Sequence, residues 1–410
     1  MRGPRALAVV ATVLLLAAGS TAVTEGVPAA APPADRPCAL RAAPGVTMSE
    51  GFGGADGRQF ARATGEVRAL TLLVDFPDKH APYSAAERYS EFFPAVRHWF
   101  YRASYGKLRY VSTPVLRYIR MPKPFHSYGI GRGYGWRTHT AMMRDLLRVA
   151  DRRIDFSGYD LVNVLVTPNA GPPAEQAVLS VTWTGASAAT TDDGTSLDRV
   201  SLVYGHDQSG ARVLSHENGH AFGLPDLYSV EDFGHTDTLA GQWDSMSLDW
   251  GLQGDLFAWH KWRLGWLDDW QVVCVRDPGA RSVHLTPVEV PGGRKAAVIP
   301  LGRTRAYVVE ARATRGNDSE ACREGVLVYQ VRTDVDSGHG PVTVEDAHPR
   351  TTACEYSSAT FNALNDAPFS SGERFTDRAR GLTVEVLGRD PDDEGWTVRI
   401  TTSRPLWDGP

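Results

Sequence analysis

His216-Glu217-Asn218-Gly219-His220-Ala221-Phe222-Gly223-Leu224-Pro225-Asp226, HENGHAFGLPD, is the stretch on which the fold turns. Residues four apart on a helix share a face, so His216 and His220 can present two imidazoles to one ion at about 2.0–2.1 Å. Glu217 is displaced around the helix from the first ligand, within reach of a water on that ion. Gly223 can take a positive φ and let the chain leave the helix and turn back, with Pro225 stiffening the return. That turn brings a third ligand, Asp226, to the open side of the metal. Three protein ligands leave one zinc position for water, the catalytic pattern rather than the structural one. The expected cofactor is therefore Zn2+, held by His216, His220 and Asp226, with Glu217 as catalytic base.

The flanking sequence supports a helix here, from near Ser209 to about Phe222. Upstream, VRALTLLVDF (Val67 to Phe76) reads as a buried strand, as do Leu161–Thr167, Val178–Thr184 and Val200–Tyr204. Ser84 to Tyr101 reads as helical, capped by Ser84 and interrupted at Pro94. Arg137–Arg153 and Leu256–Leu264 carry apolar residues at helical spacing. After about Trp270 the texture changes to short β-type runs: Ala296–Leu301, Ala306–Glu310, Gly325–Val331, Leu382–Leu387 and Trp396–Thr402. The expected fold class is thus α+β, a catalytic domain at 61–270 followed by an all-β, sandwich-like domain at 271–410.

Two arginines, an apolar run from Ala6 to Ala18 and small residues beyond it predict a secretory signal peptide over 1–31. An Ala/Pro/Gly-rich linker or short pro-segment is expected over 32–60. The localisation implied is extracellular, with no membrane association after signal cleavage. Cys38, Cys274, Cys322 and Cys354 make an even count, expected as Cys38–Cys274 and Cys322–Cys354. The formal net charge of −5 argues against a nucleic-acid partner.

Other readings stay open within the motif's neighbourhood. His206, His235 and His260 are rivals to Asp226 as third ligand, His235 foremost. Tyr228 can either donate to an oxyanion or simply pack. Val200–Tyr204 is either an inner strand or the edge strand that pairs with a substrate backbone.

The extended motif with an aspartate third ligand resembles the metzincin-like zinc proteases. More narrowly, the chain is similar to the immune inhibitor A-like secreted bacterial metalloproteases. LLVDFPD ending at Asp78, RASYGKL (Arg102 to Leu108), IDFSGYDLVNVLV before the motif, AGQWDSMS (Ala240 to Ser247), AWHKWRLGWL (Ala258 to Leu267) and NDAPF near Asn365 carry the resemblance. It implies a zincin-like catalytic domain and places Met246 in a methionine turn below the metal, not as a ligand. It also implies calcium, for which Asp75 and Asp78 are the first choice, ahead of Asp192/Asp193/Asp198 and Asp390/Asp392/Asp393. The function expected is a secreted zinc endopeptidase acting on protein or peptide substrates through a zinc-bound water. The alternatives are a catalytically silent zinc-bearing adhesion module and a zinc amidohydrolase on a non-protein substrate.

Overall fold

The structure, a computed structural model, describes residues 36–53, 59–131, 136–175, 178–205, 210–231, 238–247, 254–351 and 364–407. Residues Arg36–Pro410 pack as one compact unit. In its first half, β1 (Gly65–Asp75), α1 (Ala85–Ser90), α2 (Ala95–Ala103), β2 (Leu108–Arg120), α3 (Trp136–Ala150), β3 (Leu161–Val166), β4 (Val181–Thr190), β5 (Ser196–Val203), α4 (Ala211–Ala221) and α5 (Ala258–Arg263) follow in order. In the second come β6 (Val272–Cys274), β7 (Gly279–Leu285), β8 (Ala296–Pro300), β9 (Arg305–Arg312), β10 (Gly325–Arg332), β11 (Val342–Glu345), β12 (Arg374–Asp377), β13 (Leu382–Arg389) and β14 (Trp396–Thr402). The protein is thus a mixed α+β chain with several sheets.

The first sheet has the order β2-β1-β3-β5-β4. β1 is parallel to β2 and β3, and β3 to β5, while β4 runs antiparallel to β5. Both faces are covered, which is why β1 reads as an almost unbroken apolar run. Val67, Ala69 and Leu73 join the core that holds α2 and α4, whereas Leu70, Leu72 and Val74 pack with Met142, Met143, Leu146 and Leu147 of α3. Val200–Val203 falls in the inner strand β5 and Tyr204 just after it, and the edge on that side is β4. Ser84 caps α1 in a reciprocal capping box with Glu87, and a second helix starts after Pro94.

Strand β2 has no counterpart among the sequence expectations. Pro114 sits in the middle of LRYVSTPVLRYIR, and the pairing of β1 with β2 shifts register there. Proline is tolerated because β2 is an edge strand, where a missing N–H need not break a ladder.

The second half contains two sheets, ordered β11-β10-β9-β8-β6 and β12-β13-β14-β7. They share an apolar layer formed by Ala297, Ile299, Val309 and Val328 of one and Val283, Leu285, Val384, Val398 and Ile400 of the other. The opposite face of the first of them, with Val298, Val308, Leu327 and Tyr329, belongs to the same core as α2, α4 and α5. The main core therefore runs straight across residue 270.

Arg36–Gly53, inside the expected linker, packs against the rest of the chain. Cys38 is bonded to Cys274 with the Cα atoms 5.6 Å apart, and Leu40 and Glu50 are buried. The segment is held by a disulfide and a buried charge rather than by an apolar pattern, so composition alone reads it as linker. Cys322 is also disulfide-bonded, while Cys354, its expected partner, and the signal segment lie outside the described residues. No helix among the described residues is long and apolar enough to cross a membrane.

Candidate metal centre

Helix α4 lies against the first sheet with Val213 to Ala221 all buried. A polar row crosses the sheet face beneath it. Thr71, Asn163, Ser201 and Thr182 stand in register on β1, β3, β5 and β4. Asn218, on the helix side facing this row, donates to Asn163 Oδ1 and Ser201 Oγ at 3.0 Å each and accepts from Tyr110 Oη at 2.6 Å. Asn163 donates in turn to Thr71 Oγ1 and Tyr110 Oη. With every member paired, this network favours one rotation of the helix about its axis.

That rotation turns His216 and His220 to the opposite side. His216 Nδ1 donates to the Ser245 carbonyl at 2.8 Å, and His220 Nδ1 to the Leu224 carbonyl at 2.7 Å. A carbonyl can only accept, so each Nδ1 carries a hydrogen and each Nε2 of a neutral ring keeps its lone pair. Leu224 is placed for this by Gly223, whose φ of +89° ends the helix. The Gly223 N–H bonds the His220 carbonyl and the Leu224 N–H the Gly219 carbonyl. A side chain at Gly223 would also meet the Phe60 ring at 3.0 Å.

The turn delivers Asp226 Oδ1 to 3.2 Å from both His216 Nε2 and His220 Nε2. Oδ1 is buried, and among the described residues no hydrogen-bond donor reaches it. Three lone-pair atoms thus face one point, and either protons or a cation must stand between them. Ligands about 2.0–2.1 Å from one tetrahedral zinc stand about 3.3–3.4 Å from each other, close to the spacing here. The donor set therefore fits zinc in both chemistry and size. Burial raises the Asp226 pKa, but His220 and His216 overcome it and hold the carboxyl well below the usual range. Burial pulls the His220 pKa down, and Asp226 more than reverses that.

Glu217 is buried beside the pair, and burial raises its pKa, against the lowering pull of the two histidines and of Thr182. Thr182 Oγ1 lies 2.6 Å from Glu217 Oε2, which ties the carboxylate to edge strand β4. Met246 is fully buried under the helix, and its Sδ would lie 2.3 Å from a Cβ placed on Gly219. Glycine between the two histidines is what lets the methionine approach. The Ser245 carbonyl that orients His216 belongs to the same turn. Tyr228 lies nearly parallel to the His216 ring, with centroids 6.1 Å apart.

The remaining candidates separate clearly. His260 is fully buried with Nε2 2.7 Å from Glu50 and Nδ1 2.8 Å from Asp244, so both nitrogens are committed to carboxylates. It cannot serve as third ligand. His206 and His235 lie outside the described residues. Both Asp75 oxygens are bound by Arg120, at 2.6 and 2.8 Å, and Asp78 is exposed on the following turn.

Sequence reasoning missed Thr182, Asn218 with its network, and Ser337. Ser337 Oγ donates to Asp226 Oδ2 at 3.0 Å and accepts from the Asp226 N–H at 2.8 Å. Asn218 alone was legible in principle, as a polar residue on the buried side of an amphipathic helix. Against this geometry, no protein-family model matches the chain and no curated protein matches it.

Proposed function

We propose that the protein is a zinc-dependent endopeptidase, exported from the cell, with His216, His220 and Asp226 as ligands and Glu217 as catalytic base. The observation that carries the reading is the convergence of two Nε2 atoms and Asp226 Oδ1, with both Nδ1 atoms spent on carbonyls and a buried glutamate alongside. When bound, zinc supplies a Lewis acid that acidifies water toward a pKa near 7 and polarises a carbonyl.

The chain's own residues supply the rest. Glu217, with its affinity for a proton raised by burial, takes one from the attacking water and passes it to the leaving nitrogen. Thr182 holds Glu217 Oε2 in place from β4. Among the described residues β4 pairs with β5 alone, so its outer edge can add an extended peptide as a further strand. A peptide backbone suits that edge, which favours a protein substrate over a non-protein amide. The proposal extends to the zincin-like fold and to kinship with the immune inhibitor A-like proteases, supported by the mainly parallel sheet, the histidine helix and the methionine beneath it. The Cys38–Cys274 bond fits an oxidising compartment.

Zinc content and casein cleavage of the purified protein test this together. About one zinc per chain, cleavage blocked by a chelator and activity restored by zinc are expected. A protein that holds zinc but cleaves no polypeptide would be a binding module or act on another amide, and a protein that holds none would end the metal reading.

A further inference from the structure

Asp226 is the only one of the three metal-facing residues not on α4, and the chain leaves that helix before reaching it. Its carboxylate could swing in several directions. One oxygen, Oδ1, faces the histidines, and the other, Oδ2, is held by Ser337 Oγ at 3.0 Å. The same hydroxyl oxygen accepts the Asp226 backbone N–H at 2.8 Å, so one small side chain grips the residue at both ends. The Asp226 carbonyl accepts from the Gly338 N–H at 2.9 Å, and the Val230 N–H reaches the Gly338 carbonyl at 3.0 Å.

Ser337 is itself set by its neighbours. It lies on the loop between β10 and β11, 111 residues from Asp226. Asp336 Oδ1 accepts the Ser337 N–H at 2.9 Å and the Met48 N–H at 3.2 Å, and Oδ2 accepts the Thr47 N–H at 3.4 Å. Ser49 Oγ bonds the Thr333 carbonyl at the start of the loop at 2.5 Å. The β-rich half and the N-terminal segment thus meet at the one oxygen that decides how Asp226 is presented.

We infer that Ser337 is a positioning residue for the metal: by occupying Asp226 Oδ2 it makes the aspartate a one-oxygen ligand aimed through Oδ1, and so couples zinc affinity to the β10–β11 loop. The inference rests on the metal reading above and not on the proteolytic one. Without the hydroxyl, the carboxylate can rotate, and its backbone N–H loses an acceptor.

The test is zinc affinity by competition with a chromogenic chelator, on the full chain, with near-ultraviolet circular dichroism of the metal-free proteins as a check on folding. Ser337→Ala is expected to bind zinc about 10–100-fold more weakly than wild type, while Ser337→Thr, which keeps the oxygen, stays within about threefold. Should Ser337→Ala not fold, Asp336→Ala serves instead, and a severalfold weakening is expected as the loop loosens. Equal zinc affinity in wild type and Ser337→Ala, or equal weakening in the Ala and Thr variants, would overturn the role of the hydroxyl and leave the metal site standing. A wild type that takes up no zinc would overturn the metal site itself, and this inference with it.

Discussion

The buried histidines of α4 and the buried histidine of α5 do opposite things. His216 and His220 on α4 each give Nδ1 to a carbonyl and turn Nε2 toward Asp226 Oδ1. His260 on α5 gives one nitrogen to Glu50 and the other to Asp244. Burial and a nearby carboxylate are common to both. What separates a ligand from an ion pair is the partner of the second nitrogen. A neutral carbonyl at Nδ1 leaves a lone pair on Nε2 for a cation, whereas carboxylates at both nitrogens hold a second proton. Asp244 adds a link between the two sets, since it also accepts the N–H groups of Met246 and Phe257 and so shapes the turn under α4.

The sharpest way to break this contrast is to disarm one site without moving it. Glu217→Gln should lower kcat about 10²–10⁴-fold while zinc content stays at the wild-type level. Peptide turnover and metal analysis on one preparation read both. Undiminished turnover would show that Glu217 is not the base and that the α4 set, like the α5 set, is structural.

Next in size is the ion-pair set. Glu50 is fully buried, with Oε1 on His260 and Oε2 on Arg263 at 2.8 Å. Glu50→Ala leaves the buried His260 and the partly buried Arg263 short of a partner and should cost about 3–5 kcal/mol in urea unfolding. Zinc separates the two sets further. At about 100 times its Kd it should stabilise wild type, and equally the folded Glu50→Ala variant, by about 2.7 kcal/mol. Asp226→Ala should gain nothing from it. Zinc stabilisation that survives Asp226→Ala would move the third ligand elsewhere.

The pH dependence comes next. Burial pulls the His260 pKa down, but Asp244 and Glu50 raise it to about 9 against an ordinary 6.5. A raised histidine pKa means that this stabilisation is complete below about pH 6.5 and is lost as pH rises through about 9, by up to about 3 kcal/mol. Glu50 acts at the other end: despite burial, His260 and Arg263 keep its pKa lowered, so its share is present above about 4.5 and fades in stronger acid. Urea unfolding between pH 6 and 9.5 should therefore show a decline that His260→Gln flattens. An identical slope in both proteins would remove the charge from His260.

How much of this could be read in advance follows from distance along the chain. The histidines, Glu217, Gly223 and Asp226 occupy eleven consecutive residues, where helical periodicity and one left-handed glycine fix the geometry. The strands of the first sheet were legible where both faces are apolar, as in β1 and β3, and illegible in β2, where Pro114 interrupts the pattern. The Cys38–Cys274 pairing was expected and is present. The residues that aim His216, Glu217 and Asp226 were not legible. Ser245, Thr182 and Ser337 sit 29, 35 and 111 residues from the groups they hold, and a lone serine or threonine carries no local mark of such a role. The ion pair of Asp75 was illegible for the same reason, because its partner Arg120 is 45 residues away.

The smallest expected effect tests whether the α4 set depends on its underside. Asn218 points away from the metal-facing side, yet its amide is the contact between the helix and the polar row of the sheet. Asn218→Ala leaves the buried Asn163, Ser201 and Tyr110 short of partners, at a cost of about 1–3 kcal/mol. Because the network favours one rotation and does not merely add cohesion, the loss should reach the metal: a few-fold weaker zinc binding is expected beside the drop in stability. Asn163→Ala removes a member of the same network without touching α4, and should cost similar stability with less effect on zinc. If both variants weaken zinc equally, the row supports the sheet as a whole and the helix takes its orientation from apolar packing. If only Asn218→Ala does, the polar contact sets the angle at which His216 and His220 meet Asp226.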